Sequence, residues 1–244
     1  MRFNLGFAAA AGAALAMSGV ASADLIEGGG QPDLVFQVFL NGEMAYDGRP
    51  QGTPMDDNGT YNFDGAWQNS DFMVDWDINA NADPFIIANT VLTNISNATQ
   101  NFTVMAMIPI FPAVTPSSVV GGSIQGGLTA DGDGGTLSSV GNSPIYRAMV
   151  DGGFLGAPGE LFINRSISAG AFGSDSFDPS ESFGDPIPSA PGPAVLNSIG
   201  IRLDFTLTPG DQASFTSVFV VEIPGPGALA LFGVAGLAVS RRRR

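Results

Sequence analysis

The chain has 244 residues with no lysine, histidine or cysteine, and 23 acidic side chains against nine arginines. That composition excludes a Ser-His-Asp triad, a cysteine nucleophile, a Schiff-base lysine, an ordinary zinc site and any disulfide framework. It also argues against nucleic acid as a partner, because a strongly acidic surface repels the phosphate backbone.

Residues 1–23 read as a secretory signal peptide. Arg2 supplies the positive start, an apolar stretch runs from Leu5 to Met17, and Ala21-Ser22-Ala23 precedes Asp24. Small residues at the first and third positions before a cut place it between Ala23 and Asp24. Residues 24–221 then form an acidic domain. It keeps Arg49, Arg147, Arg165 and Arg202, while all 23 acids lie from Asp24 to Glu222, so the exported part, counted through Glu222, carries a net −19. At roughly 200 residues it is long enough to build a core without disulfides.

Gly and Pro are too frequent here for long helices, and apolar residues alternate or gather in short β-branched blocks. The pattern predicts strands at 33–40, 71–78, 84–93, 101–110, 117–128, 144–150, 160–168, 199–207 and 213–221. Asn41-Gly42, Asp131-Gly132-Asp133-Gly134-Gly135 and Pro209-Gly210-Asp211 supply turns between them. In the last pair, Ile201, Leu203, Phe205 and Leu207 alternate with Arg202, Asp204 and Thr206, which assigns one buried and one wet face. The expected fold is all-β: a single antiparallel β-sandwich, jelly-roll-like, flanked by an N-terminal signal helix and a C-terminal transmembrane helix. Two stretches break the pattern. Residues 48–65 read as a long polar loop. Residues 169–193, rich in Ser, Pro, Gly and Asp with single phenylalanines at 172, 177 and 183, read as a binding loop or an interdomain linker. The loop is preferred, because residues 196–221 are too few for a second sandwich.

The sharpest chemical pattern is Asp75, Asp77, Asn79, Asn81 and Asp83, preceded by Asp71. An acid or amide at every second residue puts all five on one face of a strand, and hard oxygen ligands are what Ca²⁺ takes. The competing reading is the solvent face of an edge strand, where charge discourages aggregation. An EF-hand loop is excluded, because Ala80 and Ile86 stand where it needs glycine and glutamate. Asp131-Gly132-Asp133-Gly134 opens like a calcium loop, but no further acid follows, and it reads as a turn. Trp67, Trp76, Tyr46 and Tyr61 form either a sugar-stacking platform or core packing. Asn58, Asn94, Asn97, Asn101 and Asn164 each begin an Asn-X-Ser/Thr triplet, read as turn chemistry. Paired carboxylates can hydrolyse glycosides, but nothing in the spacing selects two of them, so no catalytic residue is assigned.

Residues 222–244 are a separate C-terminal segment. From Pro224 to Ser240 there is no ionisable side chain, and Arg241, Arg242, Arg243 and Arg244 close the chain. A bilayer core asks for about 20 residues; local thinning and snorkelling arginines allow this shorter run to span. Residues 227–240 thus have the membrane as partner, with the arginines cytoplasmic and everything upstream outside. The order of features is Pro224-Gly225-Pro226, then Gly-Ala-Leu-Ala-Leu at 227–231, small Gly233 and Gly236, and the arginine cluster. It resembles the PEP-CTERM sorting signal over about a tenth of the chain, with Gly225 where that family has glutamate. The resemblance implies processing by an exosortase-like enzyme at the cell envelope, and a setting in extracellular matrix or exopolysaccharide. A plain tail anchor is the competing account. The expectation is an exported, envelope-sorted or membrane-anchored, non-enzymatic surface protein without a required cofactor. A carbohydrate- or calcium-binding β-sandwich module is the alternative, and a glycoside hydrolase the last.

Overall fold

The structure is a computed structural model, and it describes residues 31–223. The cleavage residues Ala21, Ala23 and Asp24 lie outside that range, as do the tail residues Pro224, Gly225, Pro226 and Arg241 to Arg244. So do both flanking helices of the expected fold.

Among the described residues every regular element is a strand. In chain order they are β1 (Val35–Leu40), β2 (Glu43–Gly48), β3 (Thr53–Pro54), β4 (Thr60–Gln68), β5 (Phe72–Asn81) and β6 (Phe85–Asn94). Next come β7 (Gln100–Pro109), β8 (Ser118–Thr129), β9 (Gly135–Ser139), β10 (Pro144–Val150), β11 (Gly153–Phe154) and β12 (Glu160–Ile163). The last are β13 (Ser166–Ala169), β14 (Ser174–Ser176), β15 (Glu181–Phe183), β16 (Ala190–Gly192), β17 (Ser198–Leu207) and β18 (Gln212–Glu222).

They pair into two antiparallel sheets packed face to face. The first runs β2-β1-β7-β17; β10 and β9 then share the far side of β17, and β11, β12 and β13 lie outside them. The second runs β3-β4-β5-β6-β18-β8, with β14, β15 and β16 end to end along the outer edge of β8.

Period-two alternation decides what faces inward. On β5 it buries Phe72, Val74, Trp76 and Ile78; on β17 it buries Ile201, Leu203, Phe205 and Leu207. Aromatic rings stitch the layers together, with centroids 4.4 Å apart for Phe36–Trp76, 5.6 Å for Phe72–Phe102 and 5.0 Å for Phe205–Phe215. Tyr146 crosses the core fully buried, and its hydroxyl donates to the Val218 carbonyl at 2.9 Å. Burial drives its phenol strongly upward from the ordinary range, so it stays a donor. Gly122 on β8 makes room for it, since a Cβ there would stand 2.7 Å from both the Tyr146 hydroxyl and the Phe183 ring.

The connections 41–42, 69–71, 95–99, 130–134, 170–173 and 208–211 gather at one end of the sandwich, as the registers require. Val35 and Glu222 both lie at the opposite end. The described residues therefore begin and end at one end of the sandwich, and the six turns stand a full strand length away.

Eight of the nine predicted strands are present as single strands, and three expectations need correcting. Residues 160–168 are two strands, broken where Asn164 takes a left-handed φ of 52°. Residues 48–65 are not one loop, because β4 begins at Thr60. Its inward positions Tyr61, Phe63, Gly65 and Trp67 alternate properly, but a glycine stands where an apolar side chain is expected. The Trp76 ring fills that place, and a Cβ on Gly65 would come within 2.5 Å of it. Residues 169–193 form neither a free loop nor a linker: they lie down as β14, β15 and β16. Pro179, Pro186, Pro188, Pro191 and Pro193 have no N–H to give to a ladder, which confines such a run to a sheet edge.

Candidate functional site: the polar outer face of the second sheet

The outward positions of the second sheet form rows that cross its strands. One row reads Gln125, Thr216, Asn89, Asp77, Asp64, one residue each from β8, β18, β6, β5 and β4. A parallel row reads Ser176, Gly127, Ser214, Val91, Asp75, Ala66. Between the two rows, over β8 and β18, the face is hollowed into a groove of about 380 Å³, within the range of small-molecule sites. Its walls include Asn89, Gln125, Ser176, Ser214 and Thr216, and Gly127 leaves its floor bare. Among the described residues no charged side chain lines it. Part of the polar face is pre-ordered: Thr216 Oγ1 donates to Asn89 Oδ1 at 2.9 Å, and Asn62 Nδ2 donates to Asp77 Oδ1 at 2.6 Å and to Asn79 Oδ1 at 2.9 Å.

The five calcium candidates are placed in a line, not around a point. Asp75, Asp77 and Asn79 point outward from β5, two residues apart, a rise of about 6.6 Å at each step. Ligands of one Ca²⁺ stand 2.3–2.6 Å from the ion and so crowd much closer to each other than that. Asn81 faces the same way but is taken up by the turn. Its Nδ2 donates to the Asn58 carbonyl and to Thr60 Oγ1, and its Oδ1 accepts from the Asp83 N–H at 2.8 Å. Asp83 lies in that turn, beyond the strand. Among the described residues no three acidic side chains gather as a metal site. β5 is also an interior strand, flanked by β4 and β6, so the edge-strand account is corrected in that respect.

The aromatic residues pack inward. Trp76 is only 6% exposed, and Tyr46, Tyr61 and Trp67 lie half-buried against the core, Tyr46 on Trp67 at 5.1 Å. Asn94 is fully buried. It donates to the Ala98 and Leu207 carbonyls and accepts from Ser96, which is turn chemistry.

The outer face of the first sheet differs in kind. Asp204 is buried there and accepts from Arg147 and Arg202 at 2.8 Å each, and from Thr103 Oγ1 at 2.5 Å. Phe154 lies over both guanidinium groups, at 5.0 and 5.5 Å. Alternation places Arg202 and Asp204 on one wet face, but Arg147, 57 residues earlier, has no local signal to join it to them. Asp151 is a second residue missed in the sequence. Its carboxylate accepts from the N–H groups of Leu196, Asn197 and Ser198 and so caps the start of β17.

These features define an antiparallel β-sandwich with one hydrogen-bonding outer face, uncharged at its groove and acidic along β4 and β5, and one ion-paired outer face. Set against known protein families and against curated proteins, the chain matches none.

Proposed function

We propose that this is an exported, envelope-held surface protein that works by binding, not catalysis, and that the outer face of its second sheet holds a neutral polysaccharide. The observation that carries this reading is the row Gln125, Thr216, Asn89, Asp77, Asp64 beside the groove. Neighbouring strands lie about 4.7–4.9 Å apart, close to the length of one sugar ring. A sugar chain lying across the strands meets one hydrogen-bonding side chain per unit. Amides and hydroxyls both donate and accept, as sugar hydroxyls do. Half-buried Ile87, Val91 and Val218 on neighbouring rows offer apolar surface to the C–H faces of the rings. The net −19 of the exported part disfavours an anionic polymer.

Delivery belongs to the same proposal: a signal helix removed after Ala23, a membrane-spanning segment at 227–240, and sorting by an exosortase-like enzyme near Pro224–Pro226. That the described residues begin and end at one end of the sandwich supports it. Attachment there leaves both sheet faces and the six turns open to the surroundings.

The test is calorimetric titration of the full chain with neutral cellohexaose, xylohexaose and dextran, and with polygalacturonate as the anionic comparison. Binding of a neutral glycan is expected, weakened about tenfold, or roughly 1.4 kcal/mol, by Asn89→Ala or Gln125→Ala. Failure to bind any of the three neutral glycans, or preference for polygalacturonate, removes the polysaccharide reading. Delivery is checked separately by mass spectrometry of the mature protein, where a new C-terminus near Pro226 indicates sorting and an intact Arg244 a retained anchor.

A further inference from the structure

The flank formed by β2 and β4 carries an open sheet edge. β3 covers β4 only at Tyr61 and Asn62, so residues 63–68 have no strand beyond them among the described residues. Which of them present free backbone groups follows from two hydrogen bonds. The Thr60 carbonyl accepts from the Met55 N–H at 2.9 Å, on the side away from β5, while the Asn69 N–H donates to the Phe72 carbonyl on the β5 side. Successive residues of a strand turn their backbone groups to opposite sides. Asn62, Asp64, Ala66 and Gln68 therefore face outward, and the last three have no backbone partner on that side among the described residues.

We infer that this edge pairs with the same edge of a second copy of the chain, antiparallel across a two-fold axis at Ala66. An antiparallel edge is its own complement under a two-fold operation, which makes a second copy the fitting occupant. Charge selects the register. Centred on Asp64, two carboxylates would stand opposite each other. Centred on Gly65, only Asp64 and Ala66 are matched within the open stretch. Centred on Ala66, every open residue is matched: Ala66 with Ala66 of the second copy, and Asp64 with Gln68. Directly opposed residues of this kind exchange two hydrogen bonds per pair, and each Asp64 carboxylate faces an amide. The other margin of the same sheet is closed by the proline-bearing run of β14, β15 and β16. Pairing through β4 therefore stops at two copies and does not propagate.

The absence of cysteine makes the test clean. Hydrogen-bonded partners in an antiparallel pair have Cα atoms about 5.5 Å apart, inside the 4.4–6.8 Å that a disulfide accepts. Full-length chain carrying Ala66→Cys, oxidised at the envelope of producing cells, is expected to run at twice its mass on a non-reducing gel. Ala171→Cys, exposed in the turn at 170–173, is expected to stay at single mass. A second variant, Ala66→Lys, places like charges directly opposite. It is expected to lower the dimer population of the detergent-solubilised full chain about tenfold by light scattering, with unchanged melting. Single-mass Ala66→Cys, equal cross-linking at both positions, or a dimer indifferent to Ala66→Lys would each overturn the inference. It stands apart from the polysaccharide reading, since a monomer that binds glycan defeats only the pairing.

Discussion

The two flanks of the sandwich solve the same problem in opposite ways. On one, the outer edge of β8 is covered by three short strands and five prolines, and the edge of β10 by β11 and β12. On the other, β2 and most of β4 end the sheets without cover among the described residues. Edge strands expose backbone groups that recruit other chains, and proline, charge or coverage normally blunts them. Among the described residues only Asp64 guards the stretch 63–68. The difference shows that covering an edge needs its own anchors, because a three-residue strand supplies little pairing. Phe177 and Phe183 are buried and hold the covering run to the core, Phe177 on Phe162 at 4.6 Å. The Glu181 carboxylate adds a polar tie by accepting from the Phe162 N–H at 2.6 Å.

The largest expected effect comes from pulling out one of these anchors. Phe177→Ala is expected to destabilise the fold by about 3–5 kcal/mol, the range for buried Phe-to-Ala changes, measured by denaturant unfolding. Hydrogen exchange should rise first along β8 and β14. If β4 and β5 exchange faster to the same degree, the covering run is not a separately anchored unit. Glu181→Ala comes next. It leaves the N–H of fully buried Phe162 without its acceptor, a loss of about 1–3 kcal/mol. Glu181→Gln retains an oxygen acceptor and should recover most of it, although the 3.7 Å pairing with Arg165 goes. Equal losses for the two variants would assign the effect to the ion pair instead. The bare flank should barely respond: Ala66→Lys is expected to change folding stability by no more than about 0.5 kcal/mol, whatever it does to pairing between copies.

The same contrast explains what was legible in the sequence. β17 and β18 can be read to within a residue at each end because alternation of apolar and polar side chains is a local property. β4 escapes because its inward Gly65 is filled by Trp76 from the next strand, which no pattern within residues 60–68 announces. β14, β15 and β16 escape because strands of three residues have no period to detect. They are strands only because β8 serves as their template. The candidate site is harder still. Of its row, Asp77 sits in a visible motif, whereas Asn89, Gln125 and Thr216 are ordinary polar residues. They line up only through the registers β5–β6, β6–β18 and β18–β8, which set Asn89 beside Thr216 across 127 positions. Local patterns carry elements and faces, and cross-strand rows are set by tertiary register.

The smallest expected effect lies where the covered flank begins. The turn after β8 holds Asp131 and Asp133, and the Phe172 N–H ties the covering run to the Asp131 carbonyl at 2.6 Å. Hydrogen bonds from the Asp133 side chain and backbone N–H hold the Asp131 carboxyl below its ordinary value of 3.8. Asp133 is pushed above that value by the same side-chain hydrogen bond and by the Asp131 charge. The two act on stability with opposite sign. Asp133 favours the folded state at low pH, and that contribution is lost as pH rises through its raised value. Asp131 favours the folded state above 3.8, and its contribution is lost as pH falls through its lowered value. The pair should therefore titrate in two carboxyl steps that straddle 3.8 when followed by carbon NMR. Asp133→Asn should abolish the upper step. The lower step should stay below 3.8, because the backbone N–H at position 133 still donates to Asp131. A single shared step at the ordinary value would mean that the two carboxyls do not meet, and that the turn owes its shape to Gly132 and Gly134 alone.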